Sequence, residues 1–203
     1  MKRFPWMSSA LAALCAAAAL VPATALEYDR ARVAAGEVWR LLTGQIVHWT
    51  ARMAVFDFGM LLGLGLWLEL RGDRRLAVVT LALGGGLTAL AVHALSPGLL
   101  VYRGSSGAAS ALFVLAAVRV ADSPDPWTRV LAVAAVALFL GKAAFESLAG
   151  QLFAGPLPPG VRVVPLVHLL GGLGGLAALS SVKSVPPVGA RRHRSPSADR
   201  CRS

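Results

Sequence analysis

Charge is scarce in this chain, and so is cysteine, and each shortage excludes something. Only 15% of the 203 residues are charged against 56% hydrophobic, too little polar surface to coat a soluble globule of this size. The solvent that suits such a chain is a bilayer. Cys15 lies in an apolar run and Cys201 in a polar tail, so they cannot meet in a membrane topology; no disulfide, cysteine metal site or other metal site is expected. Acids are outnumbered by bases, for a formal charge of +10, yet the bases are scattered over loops and the only dense run begins at Ala190. That pattern reads as a solvated tail, and no nucleic-acid partner is expected. Rich in Arg, Ser and Pro, residues 183–203 should be a disordered tail whose arginines gain about 1 kcal/mol each beside anionic lipid.

What the chain does have is long apolar runs. A membrane-spanning helix needs about 20 mostly apolar residues. Stretches near that length lie at residues 6–26, 53–70, 76–95, 105–120, 127–150 and 163–182. They lack the polar alternation of barrel strands, so helices are the way to satisfy every backbone group in lipid. The expected fold is an all-α membrane protein, a bundle of six spans: residues 1–26 as the first helix, 27–182 as the core, then the tail. Lys2, Arg3, Arg71, Arg74, Arg75, Arg119, Arg129 and the tail arginines fall on one side of such a bundle, which puts both termini in the cytoplasm and residues 27–52 outside. The first run also imitates a secretory signal, with Ala23-Thr24-Ala25 as a cleavage site; a retained helix is the stronger reading, because the core is long and holds Pro22.

An ionisable group in hydrocarbon is costly unless paired or wetted, so each is a candidate for function. The set is Asp57, His93, Lys142, Glu146 and His168. Lys142 and Glu146 stand four apart on one helical face, where they read as a structural ion pair. His93, beside Ser96-Pro97-Gly98, reads as a structural interfacial imidazole. His168 differs, because Gly171, Gly172 and Gly175 share its face and let a neighbouring helix approach. The neighbour is expected to be the helix opened by Gly104-Ser105-Ser106-Gly107, where Ser106 sits at a helix N-terminus whose free amides favour a developing negative charge. Ala109 and Ser110 are small enough to pack against the glycines.

Taken in order, these residues resemble the rhomboid intramembrane proteases, whose marks are a Trp-Arg pair in the first outer loop, Gly-x-Ser-Gly opening the fourth helix and His-x-x-Gly in the sixth. Here they read Trp39-Arg40, Gly104-Ser105-Ser106-Gly107 and His168-Leu169-Leu170-Gly171, with Glu69 near the end of the second long helix. Within the family the chain looks most like the bacterial rhombosortases, on Tyr28-Asp29-Arg30, Gly36-Glu37-Val38-Trp39-Arg40, Ser96-Pro97, and Lys142 with Glu146. The resemblance covers roughly residues 26–180. It implies a bacterial inner-membrane enzyme that opens to the periplasm and needs no cofactor. His168 would take the proton of Ser106, which attacks a peptide bond in transmembrane substrates bearing a C-terminal Gly-Gly anchor.

The second helix departs from the family. Where many rhomboids place a histidine and an asparagine as oxyanion donors, this chain has Met53 and Asp57. Methionine cannot donate, and aspartate donates only when protonated. The oxyanion site would otherwise rest on the Ser106 amide, supported by His48, Ser105, Gly104 and Gly107. A rhomboid-like protein without activity that binds transmembrane helices is the alternative. A small transporter is a third reading, weakened by the lack of internal repeats.

Overall fold

The structure is a computed structural model and describes residues 4–150, 157–159 and 161–181. The tail at 183–203, with Cys201, lies outside the described residues. Among the described residues the protein is almost wholly helical. The first apolar run splits into α1 (Trp6–Ala19) and α2 (Ala23–Leu26), because Pro22, with no N–H to donate, ends the first helix and caps the second. The outer segment holds β1 (Tyr28–Asp29), α3 (Arg30–Ala34) and α4 (Arg40–Thr43). Next come α5 (Ala51–Leu70), α6 (Arg74–His93), β2 (Val101–Tyr102), α7 (Ser106–Ala121), α8 (Pro126–Ala149) and α9 (Leu166–Ser181).

Of these, α5, α6 and α8 are long and apolar enough to cross a membrane, whereas α1, α7 and α9 are shorter apolar helices. Side chains cap two of the long ones: Thr50 Oγ1 accepts from the Met53 amide at the start of α5, and Asp125 from the Thr128 amide at the start of α8. The Thr128 hydroxyl, which also donates to Asp125, and the Thr128 amide together hold the Asp125 carboxyl below its usual range. Pro126 opens α8 where its missing N–H is harmless, and α9 begins just after Pro165 for the same reason.

The core lies where α5, α6, α7 and α9 meet, around Leu61, Leu68, Ala77, Leu112, Leu115 and Ala178. From outside, α1 leans on α5. The Glu69 carboxylate accepts from the amides of Met7 (3.0 Å) and Ser8 (2.9 Å) and from the Ser8 hydroxyl (2.9 Å), which ties the start of α1 to the end of α5. A carboxylate on the unpaired amides at a helix start is a favourable placement.

The outer segment is sewn to the bundle by polar contacts. β1 pairs antiparallel with β2, Tyr28 opposite Tyr102, and so anchors the chain just before α7. Arg40, only 2% exposed, donates to Glu37 (2.6 Å) and to the backbone carbonyls of Glu27 (2.9 Å) and Thr24 (3.2 Å). Its rigid fork of donors serves three acceptors at once, while neighbouring Trp39 points outward, half exposed. Arg103 pairs with Glu27 at 2.7 Å and lies over the Trp49 ring at 4.3 Å. Arg30 donates to four backbone carbonyls between Val92 and Leu99, and the Tyr28 hydroxyl meets His93 Nδ1 at 3.1 Å.

Candidate active site

Glycines on α9 bring the helices that carry Ser106 and His168 into close contact. A Cβ on Gly171 would collide with the Gly107 carbonyl, and one on Gly175 with the Ala111 carbonyl, so α9 presses its backbone against α7. On its other side α9 meets α6, where a Cβ on Gly174 would come within 2.8 Å of the Gly84 backbone. Gly172 faces the Val114 side chain instead. Glycine's missing Cβ is what permits spacing this small between helices. Ala109 and Ser110 were expected to receive the glycines, but Gly107 and Ala111 do so through their backbones, and Ser110 is turned to another partner.

That partner is the imidazole. His168 Nδ1 lies 3.3 Å from Ser110 Oγ, whose single proton is given either to the Ser106 carbonyl, 2.7 Å away, or to the ring when Nδ1 is unprotonated. Nε2 lies 3.2 Å from the Glu146 carboxylate, itself 2.7 Å from Lys142 Nζ. Among the described residues no hydrogen bond joins His168 to Ser106, contrary to the direct contact expected. The two side chains do share the wall of a cavity of about 570 Å³, together with Trp49, Met53, Tyr102 and Val164. Serine and histidine therefore face one space while the ring rests one helical turn deeper, at Ser110.

The turn that presents Ser106 depends on Gly104, whose φ of 145° is a region that favours glycine and whose amide donates to the Gly44 carbonyl at 3.1 Å. Behind the turn, Asp57 Oδ2 accepts from the Ser105 amide (3.1 Å) and lies 3.0 Å from His48 Nε2, which is 3.2 Å from Ser105 Oγ. The His48 ring meets Phe58 edge-on, which fixes its plane. Asp57 was expected to donate to the oxyanion. Here that carboxylate oxygen accepts from the Ser105 amide and lies beside His48, behind the turn at Gly104–Gly107, and neither Asp57 nor His48 lines the cavity. Met53 does line it and contributes apolar surface. At the mouth of α7 the amides of Ser106, Gly107 and Ala108 donate to no partner among the described residues, so they are free for an anion.

Tyr102 and Gly174 were not singled out from the sequence, and Ser110 only as a packing residue. The Tyr102 phenol is buried and makes no well-formed hydrogen bond. Burial pushes its titration far up, with the nearby Asp57 charge adding and the Ser106 hydroxyl opposing in part, so the phenol keeps its proton at any working pH. Ser110 was legible only as a small residue one turn beyond Ser106, and Gly174 as one glycine in a run of them.

A serine at a helix mouth and a histidine on the facing helix, both lining one cavity among apolar helices, are the residue types that a serine hydrolase employs. The family model of the Rhomboid domain matches residues 35–183, and the chain therefore belongs to the rhomboid family, multi-pass membrane proteins that are generally intramembrane serine proteases acting on transmembrane substrates. None of the curated proteins matches the chain. Nor does any solved structure.

Proposed function

We propose that this protein is a rhombosortase-like intramembrane serine endopeptidase that uses Ser106 as nucleophile and His168 as general base. The observation that carries the reading is that both side chains line one cavity, on helices held together by glycine against backbone. In the proposed cycle the imidazole turns from Ser110 to Ser106 and accepts its hydroxyl proton. The serine oxygen adds to the substrate carbonyl carbon, and the resulting oxyanion is received by the free amides at the start of α7. The carbon–nitrogen bond then breaks as the imidazolium gives its proton to the leaving amine. Water, activated by the same imidazole, hydrolyses the acyl-serine and restores the hydroxyl.

In this reading Asp57, His48 and Ser105 brace the turn, Arg40 locks the outer segment, and six helices cross a bacterial inner membrane. Both termini are cytoplasmic and the cavity opens to the periplasm. Substrates are proteins with a C-terminal anchor of Gly-Gly followed by one apolar helix and a basic end.

The test is reaction with a fluorophosphonate, which phosphonylates an activated serine, together with size analysis of a Gly-Gly-anchored reporter co-expressed with the protease. Labelling and cleavage are expected in the wild type and in neither Ser106→Ala nor His168→Ala. Labelling that persists in Ser106→Ala removes Ser106 from the mechanism. An unlabelled wild type that still binds the reporter supports the inactive helix-binding alternative.

A further inference from the structure

A buried carboxylate that meets only a lysine on its own helix would be a structural ion pair; Glu146 meets more than that. Its side chain is 1% exposed, on a helix whose other buried residues are Ala132 and Ala143, both alanines. Most of α8 faces outward, and its large apolar side chains Leu131, Val133, Leu138 and Leu148 are exposed. From this largely apolar helix the Glu146 carboxylate reaches across to α9 and stands 3.2 Å from His168 Nε2. The other ring nitrogen faces the serines of α7, 3.3 Å from Ser110. Phe139, two turns earlier on the same face of α8, meets the imidazole edge-on at 6.5 Å and is itself stacked on Phe113 of α7 at 5.2 Å.

We propose that Glu146 is a positioning residue for His168: it holds the imidazole proton on Nε2 and so keeps the Nδ1 lone pair turned to the α7 serines. The inference rests on the protease reading, in which His168 is the base, and extends the Ser106–His168 pair to a triad. A neutral imidazole carries one proton on either nitrogen, and the partner of one nitrogen decides which. With the carboxylate accepting from Nε2–H, only Nδ1 is left to accept the Ser106 proton. When that proton arrives, both nitrogens carry hydrogen and the ring is cationic. The carboxylate beside it then stabilises the charge without leaving its place or taking the proton. Glu146 touches no substrate and acts only through the ring.

The experiment uses the full chain in detergent or vesicles and compares wild type, Glu146→Gln, Glu146→Asp and Lys142→Gln. It measures kcat and KM on the anchored reporter, the fluorophosphonate labelling rate and thermal unfolding. An amide in place of the carboxylate favours the wrong tautomer, so Glu146→Gln is expected to lower kcat by roughly a hundredfold to ten-thousandfold with KM unchanged. Glu146→Asp is expected to recover part of that loss, and Lys142→Gln to fall far less than Glu146→Gln. Wild-type kcat in a folded Glu146→Gln, or equal losses in Lys142→Gln and Glu146→Gln, overturns the proposal and leaves a structural ion pair. Should Glu146→Gln fail to fold, Glu146→Asp decides, since an unchanged kcat there overturns it as well. A wild type that is not labelled at Ser106 overturns the protease reading and this inference with it, whereas a labelled wild type matched by Glu146→Gln overturns this inference alone.

Discussion

The two helices that flank the candidate base are built on opposite rules. α9 buries Val167, His168, Gly171, Gly172, Gly174, Gly175 and Ala178, and it lies between α6 and α7 with backbone against backbone. α8 is longer and largely apolar, yet among its residues only Ala132, Ala143 and Glu146 are buried. The difference teaches what each helix contributes. Apolar side chains gain nothing by leaving lipid for another apolar surface, so tight association in a bilayer comes from close van der Waals packing and polar contacts. The glycines of α9 supply the first at many points and hold His168 at the depth of the cavity. One carboxylate on α8 supplies the second at a single point, aimed at the imidazole.

The comparison is broken most severely at Gly171. Gly171→Val places a side chain where the Gly107 carbonyl lies, so α9 must move away from α7. The expected loss in reporter cleavage is about a hundredfold or more, since small misplacements of catalytic groups have effects of that size. Overpacking should also lower stability by about 1–3 kcal/mol, to be read from thermal unfolding in detergent. Cleavage and unfolding at wild-type values would mean that the seam does not set the site.

A smaller effect is expected at Ser110, the hydroxyl that joins α7 to the imidazole. Ser110→Ala removes one buried hydrogen bond and should lower stability by about 1 kcal/mol. Fluorophosphonate labelling should persist, because the variant frees the ring to turn to Ser106. Labelling lost as completely as in Ser106→Ala would show that the Ser110 hydroxyl is needed to hold the ring for reaction. The least effect belongs to α8, where a Cβ at Gly141 meets nothing within 4 Å. Gly141→Val should leave cleavage intact and move stability by no more than about 0.5 kcal/mol, the usual range for substitutions away from packed features. A large loss there would show that α8 is held against a surface as closely as α9 is.

Much of the scaffold was legible without coordinates because it follows from local chemistry. Apolar runs too long for strands must be helices in lipid, and the ends of α8 and α9 fall where Pro126, Gly150 and Pro165 put them. The Gly104-Ser105-Ser106-Gly107 turn and the histidine with its glycines were equally visible, since spacing along one helix fixes which residues share a face. The break at Pro22 was misread as part of one span, because a long apolar average hid a residue that cannot continue a helix.

Partner choice across helices was not legible. Nothing in the spacing of Asp57 says that it turns to the Ser105 amide and His48, behind the turn at Gly104–Gly107. Glu146 satisfied the local rule by pairing with Lys142 four residues away, and that sufficient explanation concealed its reach to His168. By itself the sequence determined the solvent, the helices and the reactive residue types, all properties of short stretches of chain. Which nitrogen of His168 faces α7 and which faces α8 emerges only from the fold, because it depends on the rotation of three helices about their own axes, set for α7 and α9 by glycine contacts distant in sequence and for α8 by the reach of Glu146.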